Sequence, residues 1–165
     1  MMREEHIVEG MRAFPCFRRQ DSRDGSTQLE GTVRIANERG EVAASFKVRV
    51  DVPPDFPAQS AHPQAFLLDH HLLPRPTEDA HVRDSDGYMC VQMEERNEIH
   101  YSEVGLVGFL QQVVTHLDRI RIWASGCGFP GPQYGHNGQG VREYEAQLPQ
   151  LRARFDAPLL RLPDA

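Results

Sequence analysis

The sequence has almost no lysine. Lys47 is the only one, and every other residue among the 18 strongly basic ones is arginine. Arginine stays protonated and is a poor nucleophile, whereas a lysine amine can attack once deprotonated. Such scarcity suits a protein that carries an activated acyl group, and it follows equally from a GC-rich genome. Cysteine is sparse too: Cys16, Cys90 and Cys127 form no pairing pattern. That excludes a disulfide framework and fits a reducing, cytoplasmic setting. No apolar run approaches the ~20 residues that span a bilayer. The N-terminus, Met1-Met2-Arg3-Glu4-Glu5-His6, is too acidic and too weakly apolar for a signal peptide. The net charge of −6 argues against a general nucleic-acid binder.

Proline and glycine are plentiful, at 12 and 13 residues, and predict long loops around an ordered core. A chain of 165 residues has enough length for one domain, expected over 1–165 with a loose tail at 157–165. Apolar residues Ile7, Val8, Met11, Phe14 and Phe17 recur every three or four positions. They predict an amphipathic helix within 3–19, ended or kinked by Pro15. Cys16, beside Phe14 and Phe17, is expected in the core. Residues 20–26 read as a loop.

Residues 27–36 and 41–52 alternate apolar and polar positions around the turn Asn37-Glu38-Arg39-Gly40. They predict an antiparallel hairpin solvated on one face. Four prolines within 53–63 exclude a central strand there. A short third strand follows at 65–68, then a loop over 69–80. The segment 81–93 is irregular, with a short strand expected over Tyr88–Met93. Ser102 is placed to cap a helix from about Glu103 to Trp123. Its stripe is Val104, Val107, Leu110, Val113, Val114, Leu117 and Ile120. A Gly-rich stretch over 125–140 and a final helix over 141–155 complete the chain. Helices at both ends of an antiparallel meander of three to four strands make the class α+β.

Chemistry concentrates on Cys90. It follows an Asp86-Gly87 turn that would expose its thiol, and a thiolate there would be a nucleophile. A buried structural thiol is the plain alternative. Asp84 and Asp86, if close, would raise its pKa. Cys127, between two glycines, reads as an incidental loop cysteine. His62, His70, His71, His81 and His136 match no zinc-ligand spacing, so neither a metal nor a cofactor is expected.

The order of elements, with Pro53-Pro54-Asp55-Phe56-Pro57, then Pro63-Gln64-Ala65-Phe66, then His81 through Gly87-Tyr88-Met89-Cys90, resembles the ubiquitin-conjugating enzymes over roughly residues 1–123. The resemblance implies that family's meander sheet flanked by helices. It also implies Cys90 as the thioester nucleophile and His81 as a residue orienting the loop. The family's His-Pro-Asn stands here as His81-Val82-Arg83, so its oxyanion-stabilising Asn has no counterpart. The His-to-Cys spacing is one residue shorter, and the loop from Phe66 to His81 is longer. These features, and the tail Trp123…Phe129-Pro130-Gly131-Pro132…Gly135-His136-Asn137-Gly138, look like divergent bacterial members. Such members work beside an activating enzyme, a ubiquitin-like modifier and a deconjugating peptidase in antiphage defence, passing the modifier to a target amine. An oxyanion needs donors aimed at it. Arg83, backbone N–H groups near Cys90, or His136 and Asn137 are the candidates. Two other readings stand beside this one: a non-catalytic binding module of the same fold, and a thiol hydrolase pairing Cys90 with His136.

Overall fold

The computed structural model describes residues 2–58, 61–91 and 101–130. The chain through Pro130 clusters into one compact unit. The final helix expected over 141–155, the tail at 157–165, His136 and Asn137 lie outside the described residues, as does the single-domain reading of 131–165.

Helix α1 spans Arg3–Ala13. Glu4 and Glu5 in its first turn and Arg12 in its last complement the helix dipole. Glu5 also reaches back to accept the Met2 amide at 2.7 Å. The helix stops two residues short of Pro15. Pro15 was expected to end or kink it, and Phe17, counted in the helical spacing, belongs instead to a strand. That strand, β1 (Phe17–Asp21), pairs antiparallel with β2 (Thr27–Ala36). Only Phe17 of β1 is buried, so its own sequence carries no alternation, and pairing with β2 makes it a strand.

β2 and β3 (Val42–Val52) form the expected hairpin. Across it Leu29 faces Val50, Val33 faces Phe46 and Ile35 faces Ala44, all inward. Asn37 builds the turn: its Oδ1 accepts the amides of Arg39 and Glu41 at 2.9 and 3.0 Å. A register shift after Ile35 leaves Val42, expected inside, exposed. β4 (Gln64–Leu67) adds to β3, giving a four-stranded antiparallel meander in the order β1-β2-β3-β4. The α+β class follows directly.

Helix α2 spans Tyr101–Ile122 and lies against α1. Ser102 is therefore inside its first turn rather than at the cap. Gly105 interrupts the helix with φ 61°. It must be glycine, because that φ disfavours a side chain and a Cβ would run into the His6 ring. Beyond the break, Leu106, Phe109, Leu110, Val113, Leu117 and Ile120 are buried, while Val104, expected in the stripe, is 47% exposed. At the helix crossing, a Cβ on Gly10 would stand 2.9 Å from Leu106, so glycine lets the helices approach.

The Pro-rich segment after β3 folds as a turn. The Phe56 amide donates to the Pro53 carbonyl at 3.2 Å, and the Phe56 ring is buried edge-on to His6. Arg3 binds this turn to the sheet, donating to the carbonyls of Pro53 and Val52 and to the Thr27 hydroxyl. No helix among the described residues is long and apolar enough to cross a membrane.

Candidate active site

The Cys90 segment is held on the outer edge of β4. β4 uses one edge to pair with β3. On the other, the Leu67 amide donates to the Gly87 carbonyl at 2.8 Å and the Met89 amide to the Ala65 carbonyl at 2.9 Å. The same segment folds back on itself. Val82 bridges Met89, the Arg83 amide donates to Tyr88 at 2.9 Å, and the Cys90 amide donates to the His81 carbonyl at 2.9 Å. Residues 81–90 are thus a small hairpin closing the sheet. Extended backbone alternates its side chains: Met89 is buried, and Cys90 is exposed. The strand expected over Tyr88–Met93 is reduced to bridges at Tyr88 and Met89, and residues 92–93 lie outside the described ones.

Gly87 sets the hairpin turn. Its φ is 76°, and a Cβ there would run into the Leu67 carbonyl and stand 2.7 Å from His70 Nδ1. The acidic residues of the turn are all engaged. Arg83 pairs with Asp86, whose Oδ1 also accepts the Tyr88 amide at 3.1 Å. The Arg83 partnership holds the Asp86 carboxyl down at about 2. Asp84 takes the Arg75 guanidinium and the Thr77 amide. The buried Thr77 hydroxyl touches both the Val82 carbonyl and the Asp84 carboxylate, donating to one at a time. Thr77 and then Arg75 lower the Asp84 pKa. The two carboxylates, expected to raise the Cys90 pKa if close, thus each have an arginine partner. Arg83 is raised, by Asp86 first, with Tyr88 and Cys90 contributing more weakly. The guanidinium therefore lies within electrostatic reach of the thiol.

His81 occupies the left-handed region at φ 55°, ψ 38°, the one described non-glycine residue to do so. It caps the short turn Thr77–Ala80, with its amide donating to the Glu78 carbonyl at 2.9 Å. Its ring lies 5.1 Å from the Phe129 ring and 6.4 Å from His116. His116 was absent from the sequence reading. It sits on the buried face of α2 between Val113 and Leu117, only 4% exposed. Burial pushes its pKa down to about 3, with His81 and Arg119 adding to the effect; the backbone of Ala80 and His81 opposes it. The available signal was a histidine standing in an apolar helical stripe.

The other thiols are placed differently from expectation. Cys16 is exposed where α1 passes into β1, and not in the core. Pro15 turns the chain there, leaving Phe17 to point inward. Neighbouring atoms still crowd the thiol enough to raise its pKa. Cys127 is exposed in a wide turn, Trp123–Cys127, that ends α2, and Ser125 Oγ lies 3.5 Å from its sulfur. His70 Nδ1 meets the Leu67 carbonyl at 2.9 Å, and the His71 ring stands 6.1 Å from that of His70. A groove of about 950 Å³ lies elsewhere, between the end of α1 and β2, lined by residues including Cys16, Arg18, Arg34 and Lys47. Its lining does not include Cys90, His81 or His116.

The arrangement presents one outward thiol on a hydrogen-bonded hairpin, with a cation near it and a histidine turn behind it. Compared with known proteins, the chain matches no family model, no curated protein and no solved structure.

Proposed function

We propose that this protein is a ubiquitin-conjugating-type acyltransferase. In this reading the Cys90 thiolate attacks the thioester linking a ubiquitin-like modifier to its activating enzyme. A new thioester forms at Cys90, and the activating enzyme's thiol leaves. A target amine then attacks the Cys90 thioester, giving an amide and freeing the thiol. The observation that carries the reading is the exposed Cys90 at the end of a hairpin fixed to a four-stranded meander. A helix, a proline turn and a long helix accompany that meander in the order the resemblance implies. Thiol-to-thioester exchange starts from an activated acyl group, so a modest nucleophile suffices.

The amides of Met89, Cys90 and Val91 already donate to backbone carbonyls, so of the oxyanion donors considered from the sequence Arg83 is the one left among the described residues. A preorganised cation does such work well where water is excluded, and an exposed Arg83 does it less strongly. The setting in bacterial antiphage defence belongs to the same proposal, as do the activating enzyme, the modifier and the deconjugating peptidase as partners.

The test is direct. The protein is mixed with a cognate activating enzyme, a ubiquitin-like modifier and ATP, then run on a non-reducing gel. A band heavier by one modifier, collapsed by thiol reductant and lost in Cys90→Ala, is the expected result. Persistence of the band in Cys90→Ala overturns the nucleophile assignment. No band with a competent activating enzyme overturns the enzyme reading in favour of a binding module of similar fold.

A further inference from the structure

β2 is covered fully on one side and only in part on the other. β3 pairs with it from end to end, whereas β1 pairs with residues 27–31 alone and begins at Phe17, opposite Gly31. The direction of the remaining backbone groups follows from β3. The Lys47 carbonyl accepts the Leu68 amide at 2.8 Å, and the Lys47 amide donates to Asp69 at 3.2 Å, both on the β4 side. Successive residues of an antiparallel ladder turn these groups to opposite sides. Phe46 and Val48 therefore face β2, where they meet Val33 and Gly31. Thr32 and Arg34 turn theirs the other way, to an edge where no described residue bonds them. The groove of about 950 Å³ lies beside this open edge, lined by half-buried Phe14 and Val114 from the helical side and by Arg34 and Lys47 from the sheet. The whole chain is negative, at −6, so this positive edge is local. Arg19, also in the lining, is taken by Glu4 and Asp21. Glu30, the carboxylate of the lining, has Arg18 and Arg49 as cross-strand neighbours. The Arg34 and Lys47 side chains have no ion-pair partner among the described residues.

We propose that the open edge of β2 at Thr32 and Arg34 docks an extended peptide of a partner protein, one that alternates acidic and apolar side chains. The peptide backbone continues the sheet where β1 leaves it. Side chains of an added strand point alternately to opposite faces. The apolar ones enter the groove against Phe14 and Val114, and the acidic ones meet Arg34 and Lys47. A second copy of this chain is the poorer occupant. Pairing edge to edge would set Arg34 and Lys47 near their own counterparts, and like charges across strands destabilise a sheet.

The probe is a fluorescein-labelled synthetic peptide alternating glutamate and valine, titrated with the full chain. Its anisotropy should rise to saturation, and its affinity should fall as salt is added. Arg34→Glu and Lys47→Glu should each weaken binding about tenfold, the scale of one hydrogen bond to a charged group. A peptide alternating lysine and valine should not bind. Both substitutions fall at exposed positions, and two further peptides test the unaltered chain. One is N-methylated at every glutamate and the other at every valine. Each keeps the charge and lacks one set of amide donors, so one of the two should lose binding. Hydrogen exchange then locates the site. Bound peptide should slow the Thr32 and Arg34 amides and leave Gly31 and Val33, which face β3, unchanged. Undiminished binding of both methylated peptides, no binding of the parent peptide, or protection confined to other residues overturns the proposal. Protection of Thr32 and Arg34 that grows with protein concentration in the absence of peptide also overturns it, in favour of a second copy. None of these outcomes depends on the thioester chemistry proposed above.

Discussion

Cys90 points outward because the residue before it points inward, and Met89 is pinned by the Ala65 carbonyl on one side and Val82 on the other. The same fixing makes Gly87 intolerant of a side chain. Gly87→Ala should cost about 1–2 kcal/mol for the left-handed backbone alone, and more for the overlap with the Leu67 carbonyl. Chemical denaturation would register this as a lower midpoint with an unchanged slope. The three thiols are all exposed. Burial of its surroundings raises Cys16, so less of it is thiolate at neutral pH. Mass-resolved alkylation with iodoacetamide at pH 7.5 should label Cys16 more slowly than the same cysteine in the denatured chain. Equal or faster labelling in the folded chain would contradict this.

At the scale of elements, one contact joins the helices to the proline turn and another joins the two helices to each other. The Phe56 ring ties the proline turn into the core beside His6. Phe56→Ala should cost about 3–5 kcal/mol, as large aromatic truncations in cores do, measured by denaturant melts. Gly105 is the other junction. Gly105→Ala would meet both a strained φ and the His6 ring, and should destabilise by about 1–3 kcal/mol. In the sequence, the hairpin of β2 and β3 was legible because one face of each strand is buried and the other solvated. The break at Gly105 was not, since a glycine inside an apolar helical pattern also fits an uninterrupted helix. β1 was illegible for a different reason: four of its five residues are polar, and Arg19 is held in place by Glu4 and Asp21.

Across the whole molecule, buried histidines set the acid limit of stability. His116 and His6 both have folded pKa values below their ordinary 6.5, chiefly from burial. An unfolded chain therefore binds protons that the folded chain refuses. Stability should be level above about pH 7 and fall as the pH drops below about 6.5, each such group losing up to about 1.4 kcal/mol per pH unit. For His116 the loss continues toward its folded value of about 3. The lowered Asp84, Asp86 and Asp21 act in the same direction at more acid pH, screened by solvent. Asp51, raised by burial, opposes them within the carboxylate range. Thermal melts from pH 8 to pH 4 would show the decline. In His116→Leu the slope between pH 6.5 and 4 should be shallower, and an unchanged slope would show that His116 does not titrate on unfolding.

Local patterning in the chain was enough for the α+β class, the central hairpin, the proline turn and the long second helix. Each rests on periodicity or on proline stereochemistry within a few neighbouring residues. It also singled out Cys90, because an Asp-Gly turn before a cysteine is a local signal, whereas His81 stood out only through the resemblance. Tertiary packing alone decided that Cys16 lies at the surface, that a polar five-residue segment becomes β1, and that His116 lies behind the Cys90 hairpin. Cys90 and His116 are 26 positions apart in sequence, and no local pattern joins them. The His116 ring stands 6.4 Å from that of His81 because β4 offers an open edge to the hairpin and the helix packed against the sheet carries His116.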